Sequence, residues 1–215
     1  MSFYTVFIHL EGKKCVLVGG GRVAERKAIG LLRAGALVIV ISPELTPRLK
    51  KEKEKKRIAH IARRYKKSHL KGAFLVIAAT DSYEENERVA LDAGNIPVNV
   101  VDTPELCSFI VPSTVRRGPL TIAISTSGAS PAMARAIRLE LERFYPKSFG
   151  PYLSGLKRDR KKALAEVKDR KKRERLLKSL ASPEVFRKLR RGVRPPAIKG
   201  VRPPAVKGLR APAIK

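Results

Sequence analysis

Apolar and polar blocks alternate along residues 14–101, and they predict strands and helices in turn. Segments with apolar residues at helical spacing cover 22–34 and 82–94, and Pro43 with the polar run after it predicts a helix over 44–55. Nearly continuous apolar runs, typical of strands buried on both faces, lie around them: CVLVG (15–19), ALVIVIS (36–42), the weaker RIAHIARRY (57–65), AFLVIAAT (73–80) and IPVNVVD (96–102). Strands that alternate with helices predict a parallel sheet with right-handed crossovers, as in an α/β fold.

The pattern changes after residue 102. Two apolar stretches flank a basic Gly-Pro turn in SFIVPSTVRRGPLTIAISTSG (108–128), and no crossover helix fits between them, so we expect an antiparallel pair. The segment SPAMARAIRLELERF (130–144) predicts a helix with Ser130 as its N-cap and Pro131 in its first turn. Residues 149–190 are predicted to be helical and are strongly basic.

The last 24 residues are three copies of one octamer: GVRPPAIK, GVRPPAVK and GLRAPAIK, over 192–215. Proline and glycine at this density do not form a helix or a core. We therefore predict a disordered or extended basic tail.

The net charge of the chain indicates a possible class of binding partner. The formal net charge is +28, and residues 151–215 hold 22 of the 47 basic residues but only 5 of the 19 acidic ones. This imbalance favours a polyanionic partner, and nucleic acid, an anionic membrane and a polycarboxylate substrate all fit. The tail has no aromatic residue, which excludes base stacking there and leaves only salt-sensitive phosphate contacts with a nucleic acid.

The cysteine and histidine residues count against a disulfide-rich protein and against a metal-binding one. Cys15 and Cys107 do not make a disulfide framework, and with His9, His60 and His69 they have no metal-ligand spacing, so we expect no bound metal. No apolar run is long enough for a transmembrane segment, and the first residues do not resemble a secretory signal. A reduced, cytoplasmic location is the simplest expectation.

The glycines between the first strand and the first helix indicate a nucleotide site. Gly19, Gly21 and Ala24 fill the pattern G-x-G-x-x-[GA] of dinucleotide-binding proteins, with Gly20 between them. Gly19 permits the turn, Gly21 leaves room for a pyrophosphate, and the helix start offers free N–H groups to it. The predicted fold class is therefore α/β with a Rossmann-type parallel sheet, followed by a small region with two strands and a C-terminal helical domain.

The residues after the strands are candidates for cofactor contacts. The acidic residue that usually binds the ribose is replaced by Ser42 and Pro43, with Glu44 next, so NAD is favoured over NADP only modestly, and Arg22 in the loop would tolerate a 2′-phosphate. The fourth and fifth strands end in polar residues that would face the nicotinamide: Thr80, Asp81, Asn99 and Asp102. Two alternatives stay open, namely that Asp81 only caps a helix and that Asp102 only forms a turn.

Several motifs together resemble one family. VLVGGGRVAERKAIGLLRAGA, VISPEL, FLVIAATD, VNVVDTPELCSFIVPS and PLTIAISTSGASPAMARAIRLELE are similar to the bifunctional precorrin-2 dehydrogenase/sirohydrochlorin ferrochelatase family, which also forms the N-terminal half of fused siroheme synthases. The resemblance is clear over residues 3–145, looser to about 190, and does not include the tail.

The resemblance implies a function and a domain organisation. It implies NAD-dependent dehydrogenation of precorrin-2 to sirohydrochlorin, with ferrous iron insertion in some members, and a homodimer. The expected domains are a NAD-binding domain over 1–111, a dimerisation region over 112–145, a basic helical domain over 146–191 and the tail over 192–215. The alternative is a nucleotide-binding sensor whose tail binds nucleic acid or an anionic membrane.

The resemblance also implies roles for particular residues. Asp102 would be the catalytic carboxylate of both activities, since each step releases protons that a base must accept. Cofactor contacts would fall on Arg22, Val23, Pro43 and Glu44. Contacts with the substrate carboxylates are expected from the turn of Ser125, Thr126, Ser127, Gly128 and Ser130, and from Arg116 and Arg117, although most of the basic side chains would simply be solvated.

Overall fold

The computed structural model describes residues 3–193 and 195, and it divides into two compact units. The first unit extends to Val111 and the second begins at Pro112. Almost all of the octamer tail predicted over 192–215 lies outside the described residues.

The first unit is built on a parallel sheet of five strands, in the order β3-β2-β1-β4-β5. The predicted α/β fold is confirmed. The strands are β1 (Lys14–Val18), β2 (Leu37–Ile41), β3 (Ile58–Ile61), β4 (Leu75–Ala78) and β5 (Val98–Val100).

Both faces of this sheet are covered because side chains alternate across it. In β1, Cys15 and Leu17 belong to the core on one face, whereas Val16 and Val18 belong to the core on the other. Residues of α1 (Arg22–Arg33) and α2 (Pro47–Glu54) pack into the first core, and residues of α3 (Tyr83–Ala93) pack into the second. Gly94 ends α3 with a φ of +54°, as its position in the sequence predicts.

Two predicted boundaries were wrong in an informative way. The helix predicted over 44–55 starts only at Pro47, because Thr46 is its N-cap and its hydroxyl accepts the Leu49 N–H at 3.3 Å. The strand predicted over 57–65 ends at Ile61. Residues 44–46 and 63–65, which therefore lie outside these two elements, form walls of the cleft described below.

In its described residues, the second unit contains a hairpin and four helices. Strands β6 (Ser113–Arg117) and β7 (Leu120–Ile124) are antiparallel, as predicted, and Ser130 caps α4 (Pro131–Phe144) by accepting the Met133 N–H at 3.1 Å. A small core of Phe149, Val185 and Leu189 follows. Phe149 lies in α5 (Phe149–Glu166) and the other two core residues lie in α7 (Pro183–Arg190), while α6 (Arg170–Ser179) lies between these helices in the chain. Within the described residues, no helix is both long and apolar enough to cross a membrane.

Candidate functional site

A cleft of about 960 Å³ opens at the carboxyl ends of the parallel strands. The strand order changes direction between β1 and β4, and open α/β sheets bind their ligands at this switch point. Residues that follow β1, β2, β3 and β4 all line the cleft.

The glycine loop after β1 forms the floor of the cleft. Gly19 has a φ of +117°, and a Cβ there would lie 2.1 Å from the Ala79 carbonyl oxygen. A Cβ on Gly20 would lie 1.9 Å from the Glu44 carbonyl oxygen, whereas a Cβ on Gly21 would meet nothing within 4 Å. Gly19 and Gly20 therefore let the surrounding loops close in, and Gly21 keeps space open at the start of α1, where helix N–H groups favour a phosphate. This cradle fits the pyrophosphate of a dinucleotide.

A second wall, residues 42–46, is tied to the glycine loop. The Ser42 hydroxyl donates to the Glu44 carbonyl at 2.6 Å, and the Thr46 N–H donates to the Gly20 carbonyl at 3.2 Å. The Thr46 hydroxyl donates to Glu25 Oε2 at 2.6 Å, which links this wall to the first turn of α1. The wall is therefore held in place by the protein itself.

The third wall follows β4 and is pinned by a residue that sequence reasoning missed. Asn86, which is 6% exposed, accepts the Thr80 N–H at 3.1 Å and donates to the Thr80 carbonyl at 3.1 Å. The prediction that Asp81 caps α3 was wrong, because Ser82 accepts the Glu85 N–H at 3.1 Å and is the cap. Asp81 is instead exposed on the cleft wall.

Three arginines and a tyrosine also line the cleft: Arg63, Arg64, Tyr65 and Arg88. Arg63, Arg64 and Tyr65 were missed because residues 63–65 were predicted to continue a strand, whereas Arg88 lies on α3. The Tyr65 hydroxyl donates to Asp92 at 3.0 Å, and the Arg88 guanidinium lies 5.5 Å from the centre of the tyrosine ring. Burial, together with the bond to Asp92, raises the pKa of Tyr65, so the phenol stays neutral.

The residues predicted to contact the cofactor fall into two groups. One group lines the cleft: Gly19, Gly20, Gly21, Ser42, Pro43, Glu44, Thr80 and Asp81. The remaining three do not line it: Arg22 and Val23 open α1 beside it, and Asn99 is buried. The Asn99 amide accepts from Lys27 Nζ at 3.0 Å and donates to the Phe109 carbonyl at 3.1 Å, so its side chain is occupied within the protein.

Asp102 lies in a tight turn just after β5. Its φ is +60°, a left-handed value that aspartate and asparagine tolerate better than most residues, and it is exposed. The Cys107 thiol closes this turn, because its sulfur accepts the Val100 N–H at 3.1 Å and lies 3.2 Å from the Val100 carbonyl oxygen. The turn-forming alternative for Asp102 is therefore compatible with the catalytic role that the resemblance implies, because the side chain in the turn is exposed.

Lys27 lies on α1, at the contact with β5. Burial lowers the pKa of this lysine most strongly and the positive charge of Arg26 adds to the effect, while Cys107 and Asp102 act in the opposite direction. Cys15, by contrast, is fully buried in β1, and burial raises its pKa to about 11, so it remains an unreactive thiol.

The predicted substrate residues lie in the second unit. Ser127 and Gly128 have φ values of +51° and +89°, and the Thr126 hydroxyl accepts the Ser130 N–H at 3.1 Å, so the turn from Ser125 to Ser130 is tightly built. All three guanidinium nitrogens of Arg117 donate to backbone carbonyls, of Tyr145, Arg116 and Glu142. Arg117 therefore supports α4, while Arg116 is exposed.

Among the described residues, no group of three histidine, cysteine, aspartate or glutamate side chains is arranged to hold a metal ion. Both cysteines are free thiols.

Comparisons with known proteins match both units. A family model described as putative NAD(P)-binding matches residues 6–113, and a second, described as sirohaem biosynthesis protein central, matches residues 117–143. The chain is 48% identical over 152 residues to a siroheme synthase of Methylobacillus flagellatus, covering 70% of this chain and 32% of that protein. It is 41% identical over 182 residues to one of Thioalkalivibrio sulfidiphilus, covering 84% and 37%.

The chain thus spans about a third of the length of these curated relatives. Among solved structures it is similar to "SirC, precorrin-2 dehydrogenase", with a TM-score of 0.78 and 26% identity. That match covers 88% of this chain and 96% of SirC.

Proposed function

The chain belongs to the putative NAD(P)-binding family, and from this premise we propose that it is a precorrin-2 dehydrogenase that uses NAD⁺ to make sirohydrochlorin in siroheme biosynthesis. The observation that carries the proposal is the pairing of a dinucleotide cleft with an exposed aspartate at the same edge of one sheet. Its likeness to SirC over nearly that whole chain supports the proposed substrate.

The cleft residues would bind and orient the cofactor. The first N–H groups of α1 would hold the pyrophosphate over Gly21, and the wall from Ser42 to Glu44 would meet the ribose. When bound, NAD⁺ supplies the hydride acceptor. Because the walls are already tied to each other through Thr46, little ordering would be needed on binding.

Asp102 would act as the base. Dehydrogenation removes a hydride and a proton from the same substrate, and an exposed carboxylate at the strand end is suited to take the proton. The same carboxylate would accept pyrrole N–H protons if ferrous iron is inserted afterwards. We extend the proposal to this chelatase step, with Fe²⁺ as a substrate.

The second unit would contribute the contacts with the substrate carboxylates. The Ser125 and Ser130 hydroxyls accept N–H groups within the protein and could still donate to a carboxylate, and Arg116 offers an exposed guanidinium. We also propose that residues 112–145 form a homodimer interface and that the protein works in the cytoplasm, where its two free thiols stay reduced.

Replacing Asp102 by asparagine tests the proposal. Asparagine tolerates the same left-handed φ, so the variant should fold, but an amide cannot accept the proton. We expect the rate of NADH formation from precorrin-2 under anaerobic conditions to fall by about 10²–10⁴-fold, with little change in the Kd for NAD⁺.

The matched control is Glu105→Gln, which removes an exposed carboxylate from the same loop and should leave turnover unchanged. Adding Fe²⁺ after sirohydrochlorin has formed then tests iron insertion. If the wild type binds NAD⁺ but forms no sirohydrochlorin, the enzyme proposal is wrong and a nucleotide-sensing role takes its place.

A further inference from the structure

We propose that Lys27 is a positioning residue for Asp102, one that acts through Asn99 to hold the loop that presents this carboxylate after β5. This inference rests on the proposed function, because it assigns a task to Lys27 in the proton transfer. Lys27 lies outside the cofactor cleft and has no part in the roles assigned above.

The first argument is geometric. Lys27 reaches from α1 to the strand that carries the Asp102 turn, and its ammonium donates to Asn99 Oδ1 at 3.0 Å. Asn99 in turn donates to the Phe109 carbonyl at 3.1 Å and contacts Cys107 Sγ at 3.5 Å. Lys27 is thus joined to both ends of the loop that presents Asp102, through a buried amide.

The second argument is that the charge of Lys27 has no ion-pair partner. Within residues 3–193, no carboxylate lies within salt-bridge distance of its ammonium, and its hydrogen-bond partner is a neutral amide. A half-buried ammonium with only a neutral partner is unfavourable by itself, but an apolar side chain would leave the buried Asn99 oxygen without its donor. The ammonium of Lys27 therefore serves the contact with Asn99 and with the loop joined to it.

The third argument identifies what the charge acts on. The charged and titratable groups felt by Lys27 are Arg26 on its own helix, and Cys107 and Asp102 in the loop after β5. Of these, Asp102 is the carboxylate. In the described part of the chain, no hydrogen bond or ion pair fixes the Asp102 side chain, so its position depends on the loop that Lys27 and Asn99 hold.

The kinetic test compares two lysines. Lys27→Met keeps the length of the side chain without its charge, and we expect kcat for precorrin-2 dehydrogenation to fall about 10- to 100-fold because the base is no longer held in place. The KM for precorrin-2 and the Kd for NAD⁺ should change less than about twofold, and Lys27→Arg should restore most of kcat.

Lys14→Met is the matched control, since the Lys14 ammonium also donates to a neutral acceptor, the Lys71 carbonyl, in the same unit. It should leave kcat unchanged. Equal losses in the two methionine variants, or a loss confined to NAD⁺ binding, would overturn the proposal.

A second readout is independent of turnover. In protein with ¹³C-labelled lysine, the NMR titration of Lys27 should move to lower pH in Asp102→Asn, because the anion that raises the Lys27 pKa is gone. Asp81→Asn should leave the titration unchanged. If Asp102→Asn does not shift it, the coupling does not exist and the inference fails even if the wild type is a dehydrogenase. If the wild type is inactive but the shift occurs, only the proposed function fails.

Discussion

At the scale of single residues, the three glycines of the loop after β1 have different structural roles. Gly19 and Gly20 allow backbone carbonyls of neighbouring loops to approach where a Cβ would collide with them. Gly21 has open space instead, on the side where the cleft lies. The same residue type therefore serves packing at two positions and leaves room for the proposed ligand at the third.

This difference predicts opposite results for two alanine substitutions. Gly19→Ala places a Cβ 2.1 Å from the Ala79 carbonyl oxygen at a φ of +117°, so we expect it to lower the free energy of unfolding by about 1–3 kcal/mol. Gly21→Ala should leave stability unchanged but weaken NAD⁺ binding about tenfold, or about 1.4 kcal/mol.

Urea unfolding and calorimetric titration with NAD⁺ measure the two effects separately. A Gly21→Ala protein that binds NAD⁺ as the wild type does would show that the pyrophosphate lies elsewhere. A Gly19→Ala protein of unchanged stability would contradict the close approach of β4.

At the scale of elements, Thr46 joins the start of α2 to the dinucleotide cleft. It caps the helix, donates to Glu25 and bonds through its N–H to Gly20. The start of α2 and the shape of the cleft therefore depend on one residue, through both its side chain and its backbone N–H.

Thr46→Val should cost about 1 kcal/mol of stability, because the cap is lost while the shape of the side chain is kept. It should also weaken NAD⁺ binding, since the Glu25 carboxylate loses its donor near the place of the pyrophosphate. Ser182→Ala removes the cap of α7 in the other unit and is the control. It should cost similar stability without any effect on NAD⁺, and a parallel loss of binding would refute the link through Thr46.

The sequence predicted the elements better than their ends. The strands were evident because burial on both faces requires uninterrupted apolar residues, as in β1 and β4. The start of α2 was not evident, because a serine, a glutamate and a threonine within five residues all favour a helix start. Only the contact of Thr46 with the glycine loop decides among them.

Within the candidate site, position along a strand predicted which residues lie at the sheet edge, but not which way they point. Asn99 was expected to face the cofactor, yet its side chain bonds to α1 and to the loop after β5. Arg63 and Arg64 were missed because the early end of β3 has no clear signal in RIAHIARRY. Both errors concern contacts between distant segments, which local patterns do not encode.

At the scale of the whole molecule, charge is unevenly distributed. Residues 192–215 add six basic residues and no acidic one to a chain that already carries a large excess of positive charge. The dinucleotide cleft and the Asp102 turn both lie in the other unit.

Removing residues 192–215 should therefore leave kcat/KM for precorrin-2 nearly unchanged, while the truncated protein elutes from heparin at lower salt because fewer cations bind the polyanion. Steady-state assays and salt-gradient chromatography measure the two properties. A large loss of turnover would show that the tail takes part in the reaction, and an unchanged elution would remove the case for a polyanion contact.

The placement of the cleft and of the Asp102 turn in one unit has a consequence for inheritance. Gly19 and Asp102 both lie in the first unit, which is one continuous segment of the chain. A recombination breakpoint near residue 111 would pass on the dinucleotide cleft and the Asp102 turn together, whereas one between β4 and β5 would separate them. Gene fusion at the end of this unit would therefore transfer the cleft and this carboxylate together to a new protein, which would have to supply its own substrate contacts.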